Sequence, residues 1–258
     1  MRICLAGDIH GNKNHAKNVF SEACHKNADL IIQVGDYGYG WHLTQFKGTG
    51  GKVECDFTHF ISDLVKETGI PFMWLDGNHE NFDHLYETLP DFTPQEDGTF
   101  EMAPGVFYIP RGTRLEFGGV KFLVCGGAVS VDKRMRVPYV SWWAQEALTQ
   151  EDVDKCARAG KVDVLLTHDF PWEGTIVDRH LDSYWGEQAG YDTAHNRKLV
   201  SEILKNSGAK LQVHGHLHIE YDEMICNHSV HLKGLNCDGT PMRESTVIYD
   251  TETHELSS

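Results

Sequence analysis

Several apolar segments of this chain end in a glycine that is followed at once by aspartate, asparagine or histidine. Residues 2–7 lead into Gly-Asp-Ile-His, residues 29–36 (DLIIQVGD) close on Gly-Asp, and residues 71–80 (PFMWLDGNHE) contain Gly-Asn-His. Helical patterns over about 14–27 and 56–68 separate these segments. Strand and helix therefore alternate, which predicts a parallel sheet whose strands are buried on both faces and read as continuous apolar runs.

The middle of the chain has a different pattern. Gly118 and Gly119 lie between two alternating runs, which predicts an antiparallel hairpin. A helix capped by Thr149 is expected next, followed by a buried strand over 162–171. We expect residues 172–192 to form a loop. A helix from about His195 to Asn206 and further strands complete the prediction.

Composition supports an ordinary globular protein. Of the 258 residues, 40% are hydrophobic and 24% are charged, and no linker-like shift interrupts the chain, so a single domain over 1–258 is expected. No run of 18 apolar residues predicts a membrane span, and MRICLAGDIHG does not resemble a secretory signal. The seven cysteines are scattered, with no CxxC spacing, which favours reduced thiols and a cytoplasmic location.

Charge and histidine content narrow the possible partners. Acidic residues outnumber basic ones by 38 to 23, for a formal net charge of -15. Such a surface repels phosphate backbones, so binding to duplex nucleic acid is not expected. The 16 histidines are unusual, and histidine is the commonest metal ligand.

Potential metal ligands follow five of the predicted strands. In open α/β sheets, ligands bind outside the carboxyl ends of the strands, where these five segments would converge. Carboxylate, imidazole and amide groups without thiolates suit Mn²⁺, Zn²⁺ or iron. The candidates are Asp8, His10, Asp36, Asn78, His79, His168, Asp169, His214, His216 and His218.

The order Asp-Xaa-His, Gly-Asp, Gly-Asn-His, strand-terminal His and Gly-His-Xaa-His resembles the signature of the calcineurin-like metallophosphoesterase superfamily over residues 3–218. The resemblance implies an α/β fold, a four-layer α/β/β/α sandwich with mixed sheets and a dinuclear metal site at the carboxyl ends of the strands. The site is expected to hold two divalent ions. Mn²⁺ is the favoured metal, with Zn²⁺, iron and Ni²⁺ as alternatives. The implied ligands are Asp8, His10, Asp36 and His218 for the first ion and Asp36, Asn78, His168 and His216 for the second.

Physical chemistry supports the bridging role that the resemblance gives to Asp36. Two divalent ions about 3.5 to 4 Å apart repel each other unless anions lie between them. Such a pair lowers the pKa of bound water and stabilises the charge that develops during in-line displacement at phosphorus. The implied reaction is phosphoester hydrolysis by a metal-bridging hydroxide, with His79 as the catalytic residue that donates a proton to the leaving oxygen or hydrogen-bonds with it.

Two departures from the serine/threonine phosphatase branch bear on the substrate. Residues 37–40 are Tyr-Gly-Tyr-Gly, and Asp76 precedes Gly77, so two arginines and an aspartate of that branch are missing. Without a guanidinium clamp for dianionic phosphate, a site charged by its metals should favour monoanionic diesters. We predict a phosphodiesterase for small, nucleotide-type esters such as cyclic nucleotides, with the 2′,3′-cyclic kind favoured. A phosphoprotein phosphatase or a nuclease is the alternative, and a non-catalytic scaffold is a remote one.

The basic and aromatic segment 132–145 is a second candidate feature. Arg134 or Arg136 could meet a phosphate while Tyr139, Trp142 or Trp143 stacks on a base, although aromatic residues beside a helix start more often belong to the core.

Other residues near the motifs have simpler explanations. His214 is expected to be a strand residue or a partner of a ligand. Asp169 and Glu80 either orient imidazoles or are exposed. No role is assigned to His15, His25, His42, His59, His84, His180, His195, His228, His231 or His254.

Overall fold

The computed structural model of the chain describes residues 1–41 and 56–257. His42 and one of the seven cysteines, Cys55, lie outside these ranges. The six cysteines within them are free thiols. Among the helices of the described ranges, none combines the length and apolar character needed to cross a bilayer.

The structure contains fourteen strands and seven α-helices in the described residues. The strands are β1 (Arg2–Ala6), β2 (Leu30–Gln33), β3 (Phe72–Trp74), β4 (Thr93–Pro94), β5 (Phe100–Ala103), β6 (Val106–Tyr108), β7 (Thr113–Phe117), β8 (Val120–Cys125), β9 (Val164–Thr167), β10 (Leu211–His214), β11 (Tyr221–Ile225), β12 (Val230–Gly234), β13 (Thr246–Asp250) and β14 (Glu255–Ser257). The helices are α1 (Lys13–His25), α2 (Asp56–Thr68), α3 (Phe82–Thr88), α4 (Gln150–Arg158), α5 (Thr175–Trp185), α6 (Glu187–Ser207) and α7 (Met242–Ser245).

The strands form two mixed sheets. The first has eight strands in the order β14-β13-β1-β2-β3-β6-β5-β4, and the second has six in the order β11-β12-β10-β9-β8-β7. Strands β1, β2, β3 and β6 run parallel in the first sheet, as do β8, β9, β10 and β12 in the second. Antiparallel strands lie at the edges of both sheets. The parallel strands therefore bring the predicted ligand segments to one end of each sheet.

The alternation of side chains along β1 explains how the layers stack. Ile3 and Leu5 point into the core between the sheets, whereas Cys4 and Ala6 belong to the core beneath α1 and α2. A third core lies between the second sheet and helices α4, α5 and α6. This arrangement of helix, sheet, sheet and helix confirms the predicted four-layer sandwich.

Local signals in the sequence correctly predicted two connections. Phe117 pairs with Val120 across a two-residue turn, and Gly118 and Gly119 have φ values of 57° and 81°. Positive φ at both turn residues is typical of a type I′ hairpin. At the start of α4, Thr149 and Asp152 form a reciprocal capping box.

The loop predicted for residues 172–192 is wrong, because α5 occupies Thr175–Trp185 and α6 already begins at Glu187. Among the described side chains of α5, only Val177 and Leu181 are strongly buried, and they lie on one narrow side of the helix. The polar residues on the remaining sides gave the segment its loop-like composition, although Val177 and Leu181 have the i, i+4 spacing of a helix.

Candidate metal centre and its cleft

Four of the predicted ligands form one cluster at the carboxyl ends of the strands. One ligand atom from each of Asp8, His10, Asp36 and His218 lies within 4.8 Å of all the others. His10 Nε2 is 3.2 Å from Asp36 Oδ2, and His218 Nε2 is 3.1 Å from Asp8 Oδ2. These residues follow β1, β2 and β10, so the topology brings together groups that are up to 210 positions apart in the chain.

Asp36 faces two groups of side chains at once. Its Oδ2 atom lies toward His10, whereas its Oδ1 atom is 3.2 Å from His168 Nε2 and accepts hydrogen bonds from the backbone of Asn78 and His79 at 2.7 Å. The carboxylate is buried. Each oxygen of Asp36 therefore faces a different group of predicted ligands.

The second group of predicted ligands lies on the Oδ1 side. His168 Nδ1 donates to the carbonyl of Val34 at 2.8 Å, which leaves Nε2 facing Asn78 Oδ1 at 3.2 Å. The ring of His216 lies 5.1 Å from that of His168, centroid to centroid. The backbone bond at Nδ1 fixes the tautomer in which Nε2 is free to bind a metal ion.

The backbone is strained at four of the seven predicted ligands. His10, Asp36, His216 and His218 have φ values of 49°, 56°, 76° and 54°. Positive φ is uncommon for residues other than glycine, and such strain concentrates at functional sites.

The residues fit a metal centre on two structural grounds. First, Nε2 of His216 is buried and has no hydrogen-bond partner within the described part of the chain. Leaving such an atom unsatisfied is costly, and a cation would supply its partner. Second, a Cβ atom on Gly77 would lie 2.1 Å from Asp36 Oδ1, and one on Gly215 would lie 2.0 Å from Asp8 Oδ1. Glycine at both positions lets the carboxylates pack against the backbone.

Electrostatics favour positive charge on three of the four predicted histidine ligands, whereas burial lowers the pKa of the fourth, His216. Burial opposes the charge on His10 and His168, but hydrogen bonds and attraction from neighbouring aspartates raise their pKa values to about 11 and about 9. Burial also opposes the charge on His218, but its hydrogen bond to Asp8 contributes most to raising its pKa to about 10. The buried carboxylates therefore stabilise cations at this site.

His79 lies next to the cluster and has a different environment. Nη2 of Arg136 donates to His79 Nε2 at 2.6 Å, and Asp36 Oδ2 is 3.8 Å from the same nitrogen. Burial, together with the charge of Arg136, lowers the pKa of His79 to about 4 in spite of Asp36. The Trp41 ring packs against the imidazole at 4.7 Å between centroids. His79 thus faces the cluster as a neutral imidazole.

Glu80 and Asp169 are both buried, and in the described ranges neither carboxylate is hydrogen-bonded to an imidazole. Glu80 accepts hydrogen bonds from the backbone N–H groups of residues 37, 38, 39 and 77. Asp169 accepts from Asn196 Nδ2 at 2.6 Å. Glu80 therefore stabilises the loop that carries Asp36, and Asp169 connects the end of β9 to α6.

His214 is a buried residue of β10, as expected. Its Nδ1 atom lies 2.9 Å from the carbonyl of Gly215, and its Nε2 atom is hydrogen-bonded to the Tyr221 hydroxyl. These contacts keep it away from the ligand cluster.

Asp238 was missed by the sequence analysis. Its Oδ1 atom is 2.8 Å from His10 Nδ1, and its Oδ2 atom accepts from Asn12 Nδ2 at 2.8 Å. It follows β12 in an ordinary-looking turn, LNCDGT, and no motif in the sequence connects it to His10.

The structure separates the residues of the basic and aromatic segment. Arg136 lies in the site, with Nε 2.6 Å from Asp132 Oδ1, whereas Arg134 pairs with Asp192 at the surface. Trp143 is buried and donates to Asp83 Oδ2 at 3.1 Å, which favours the core interpretation for this residue.

Asp76, which precedes Gly77, does not line the cleft. It is completely buried, 2.6 Å from Nη2 of Arg111, and accepts from the Tyr108 hydroxyl at 3.0 Å. The position that carries an arginine in the phosphatase branch is used here for a buried ion pair.

A cleft of about 420 Å³ opens over the cluster. Its volume is within the range of small-molecule sites, about 300 to 1,000 Å³. The cleft is lined by Asn78, His79, Val131, Asp132, Arg136, His180, Tyr184, Trp185, His216, Leu217 and His218. Three of these come from α5, including His180, to which the sequence analysis gave no role.

Comparison with known proteins agrees with this geometry. The profile of the calcineurin-like phosphoesterase family matches residues 1–220. The protein TT1561 of Thermus thermophilus is similar in fold, with a TM-score of 0.60 and 10% identity over 99% of this chain and 96% of that one. A dimetal phosphatase from Danio rerio has a TM-score of 0.55 and 11% identity, with 96% and 91% of the two chains covered. A search of curated proteins gave no match.

The two solved structures support the fold, and the family profile extends across every predicted ligand position. The profile match and the clustered carboxylates and imidazoles together identify the chain as a member of the calcineurin-like phosphoesterase family and as a metallophosphoesterase.

Proposed function

We propose that this protein is a phosphodiesterase for small diesters, with cyclic nucleotides, and the 2′,3′-cyclic kind first among them, as substrates. Two divalent ions, Mn²⁺ by preference, would be held by seven residues. They are Asp8, His10, Asp36 and His218 on one side and Asp36, Asn78, His168 and His216 on the other. When bound, such ions supply a nucleophile derived from water and polarise the phosphoryl oxygens.

The proposed preference for diesters rests on the charge of the cleft. Among the cleft residues within the described ranges, Arg136 has the single permanent positive charge, and Asp132 is paired with it at 2.6 Å. The net charge added to the metal centre by this pair is therefore close to zero. A dianionic phosphomonoester gains most from unpaired guanidinium groups, whereas a monoanionic diester needs fewer of them.

His79 is the proposed proton donor to the leaving oxygen. It lies beside Asp36 and within hydrogen-bond distance of Arg136, so substrate binding would place the leaving oxygen near an imidazole that is already oriented. Arg136 would then move its hydrogen bond from His79 to a phosphoryl oxygen, which leaves Nε2 free to take up a proton from solvent and pass it to the leaving oxygen.

A substrate panel tests the proposal. After reconstitution with Mn²⁺, kcat/KM is measured for 2′,3′- and 3′,5′-cyclic nucleotides, for matched aryl monoesters and diesters, and for a phosphopeptide. We expect two metal ions per chain and higher kcat/KM for diesters. A clear preference for monoesters or for the phosphopeptide would instead support the phosphatase alternative, and no turnover of any ester would support a scaffold.

A further inference from the structure

The side of α5 that lines the cleft, the α5 face, consists of His180, Tyr184 and Trp185. The imidazole of His180 and the ring of Tyr184 are stacked, with centroids 5.8 Å apart and planes 9° from parallel. Tyr184 and Trp185 meet edge to face at 5.2 Å. The three rings thus contact one another in series on one side of α5.

These rings are unusually exposed for their size. Tyr184 is 72% exposed and Trp185 is 36% exposed, although Val177 and Leu181 on the same helix are buried in the core. The helix is therefore held in place by its apolar side while its aromatic side faces the cleft. Exposed aromatic surface beside polar groups is typical of a binding site.

We propose that the α5 face binds the nucleobase of a nucleotide ester whose phosphate lies at the metal centre. This inference rests on the function proposed above and specifies which part of the site selects the substrate. The same cleft is lined by His79 and Arg136, on the side of the reacting phosphate, and by the α5 face. A ligand with an anionic group at one end and a flat ring at the other would contact His79 and Arg136 through the anion and the α5 face through the ring.

Stacking on aromatic rings tolerates different bases, because every base has a π-face. The α5 face should therefore favour nucleotides over base-free esters and discriminate weakly among bases. Trp143 of the segment 132–145 cannot stack on a base, because it is buried and hydrogen-bonded to Asp83.

The test compares 2′,3′-cyclic AMP with base-free ribose 2′,3′-cyclic phosphate in the Mn²⁺-loaded enzyme. Tyr184→Ala and Trp185→Ala should raise KM for the nucleotide by about 5- to 150-fold and leave KM for the base-free ester unchanged. Tyr184→Phe should retain the wild-type KM, because it keeps the ring. Tyr191→Ala is the matched control, since Tyr191 is 78% exposed on α6 and does not line the cleft.

Equal changes in KM for both esters would overturn the assignment of the α5 face. If the wild-type enzyme hydrolyses neither ester, the proposed function fails. Binding of AMP, measured by equilibrium dialysis, then tests separately whether the α5 face binds a nucleobase. AMP binding that weakens in Tyr184→Ala but not in Tyr191→Ala supports it. The absence of AMP binding to the wild-type protein overturns it.

Discussion

Asp238 binds the outer nitrogen of His10, with Oδ1 2.8 Å from Nδ1, while the inner nitrogen faces Asp36 at 3.2 Å. Asn12 in turn donates to the other oxygen of Asp238. A carboxylate behind a ligating imidazole orients the ring and raises its basicity. Asp238 is therefore placed to act on the proposed metal centre without touching the ions.

Replacing Asp238 should weaken metal binding rather than abolish the fold. In Asp238→Asn we expect about a 10- to 100-fold loss of metal affinity, measured by titration of the apoprotein with Mn²⁺. Asp222→Asn is the control, because Asp222 also pairs with a histidine, His231, at 2.6 Å, and neither residue is a predicted ligand or lines the cleft. Equal metal affinity in the two variants would contradict the role given to Asp238.

Replacing His79 should separate metal binding from turnover. His79→Ala is expected to keep its metal ions and to lose about 10²- to 10⁴-fold in kcat, since the proton donor to the leaving oxygen is removed. Asp36→Ala should lose metal as well as activity, because both oxygens of Asp36 face candidate ligands. Elemental analysis of the two purified variants, alongside their kcat values, checks both statements. Loss of metal in His79→Ala would refute its assignment as a proton donor.

Arg136 and Arg134 are two residues apart but lie in different environments. Arg136→Ala should lower kcat/KM for a diester by about 10- to 150-fold, the usual effect of removing a charged hydrogen bond. Arg134→Ala should leave it unchanged, since Arg134 is paired with Asp192 outside the cleft. Steady-state kinetics with the same diester gives kcat/KM for both variants. Equal losses in the two would contradict the different roles given to Arg136 and Arg134.

Replacing Glu80 should lower the stability of the protein. Its carboxylate satisfies four backbone N–H groups, including those of Tyr37 and Gly77. In Glu80→Ala these amides lose their partner in a buried region, so the free energy of unfolding should fall by about 3 kcal/mol or more. Urea denaturation of the apoprotein measures this. A change below about 0.5 kcal/mol would show that water replaces the carboxylate without cost.

Trp143 should affect stability rather than substrate binding. Trp143→Ala removes a buried ring and its hydrogen bond to Asp83, so a loss of about 3 to 5 kcal/mol is expected. Tyr139→Ala, at a site that is 62% exposed, should change stability by less than about 0.5 kcal/mol. Thermal unfolding of the two variants provides the measurement. A stable Trp143→Ala with raised KM would restore the original stacking hypothesis.

The sequence alone determined the features that depend on local pattern. The apolar strands, the Gly118-Gly119 hairpin and the Thr149 cap were predictable because neighbouring residues produce them. The ligand segments were also predictable, since the ends of parallel strands must meet. The helix α5 was missed because, among its described side chains, only Val177 and Leu181 are strongly buried, and a polar helix reads like a loop.

Only the tertiary structure decided which distant side chains meet. Asp238 reaches His10 across 228 positions, Arg136 rather than Arg134 enters the cleft, and α5 rather than the segment 132–145 supplies its aromatic side. The physical reason is that a strand pattern fixes the direction and burial of a segment but not the path of the loops after it. Those paths depend on packing between layers that are far apart in the sequence.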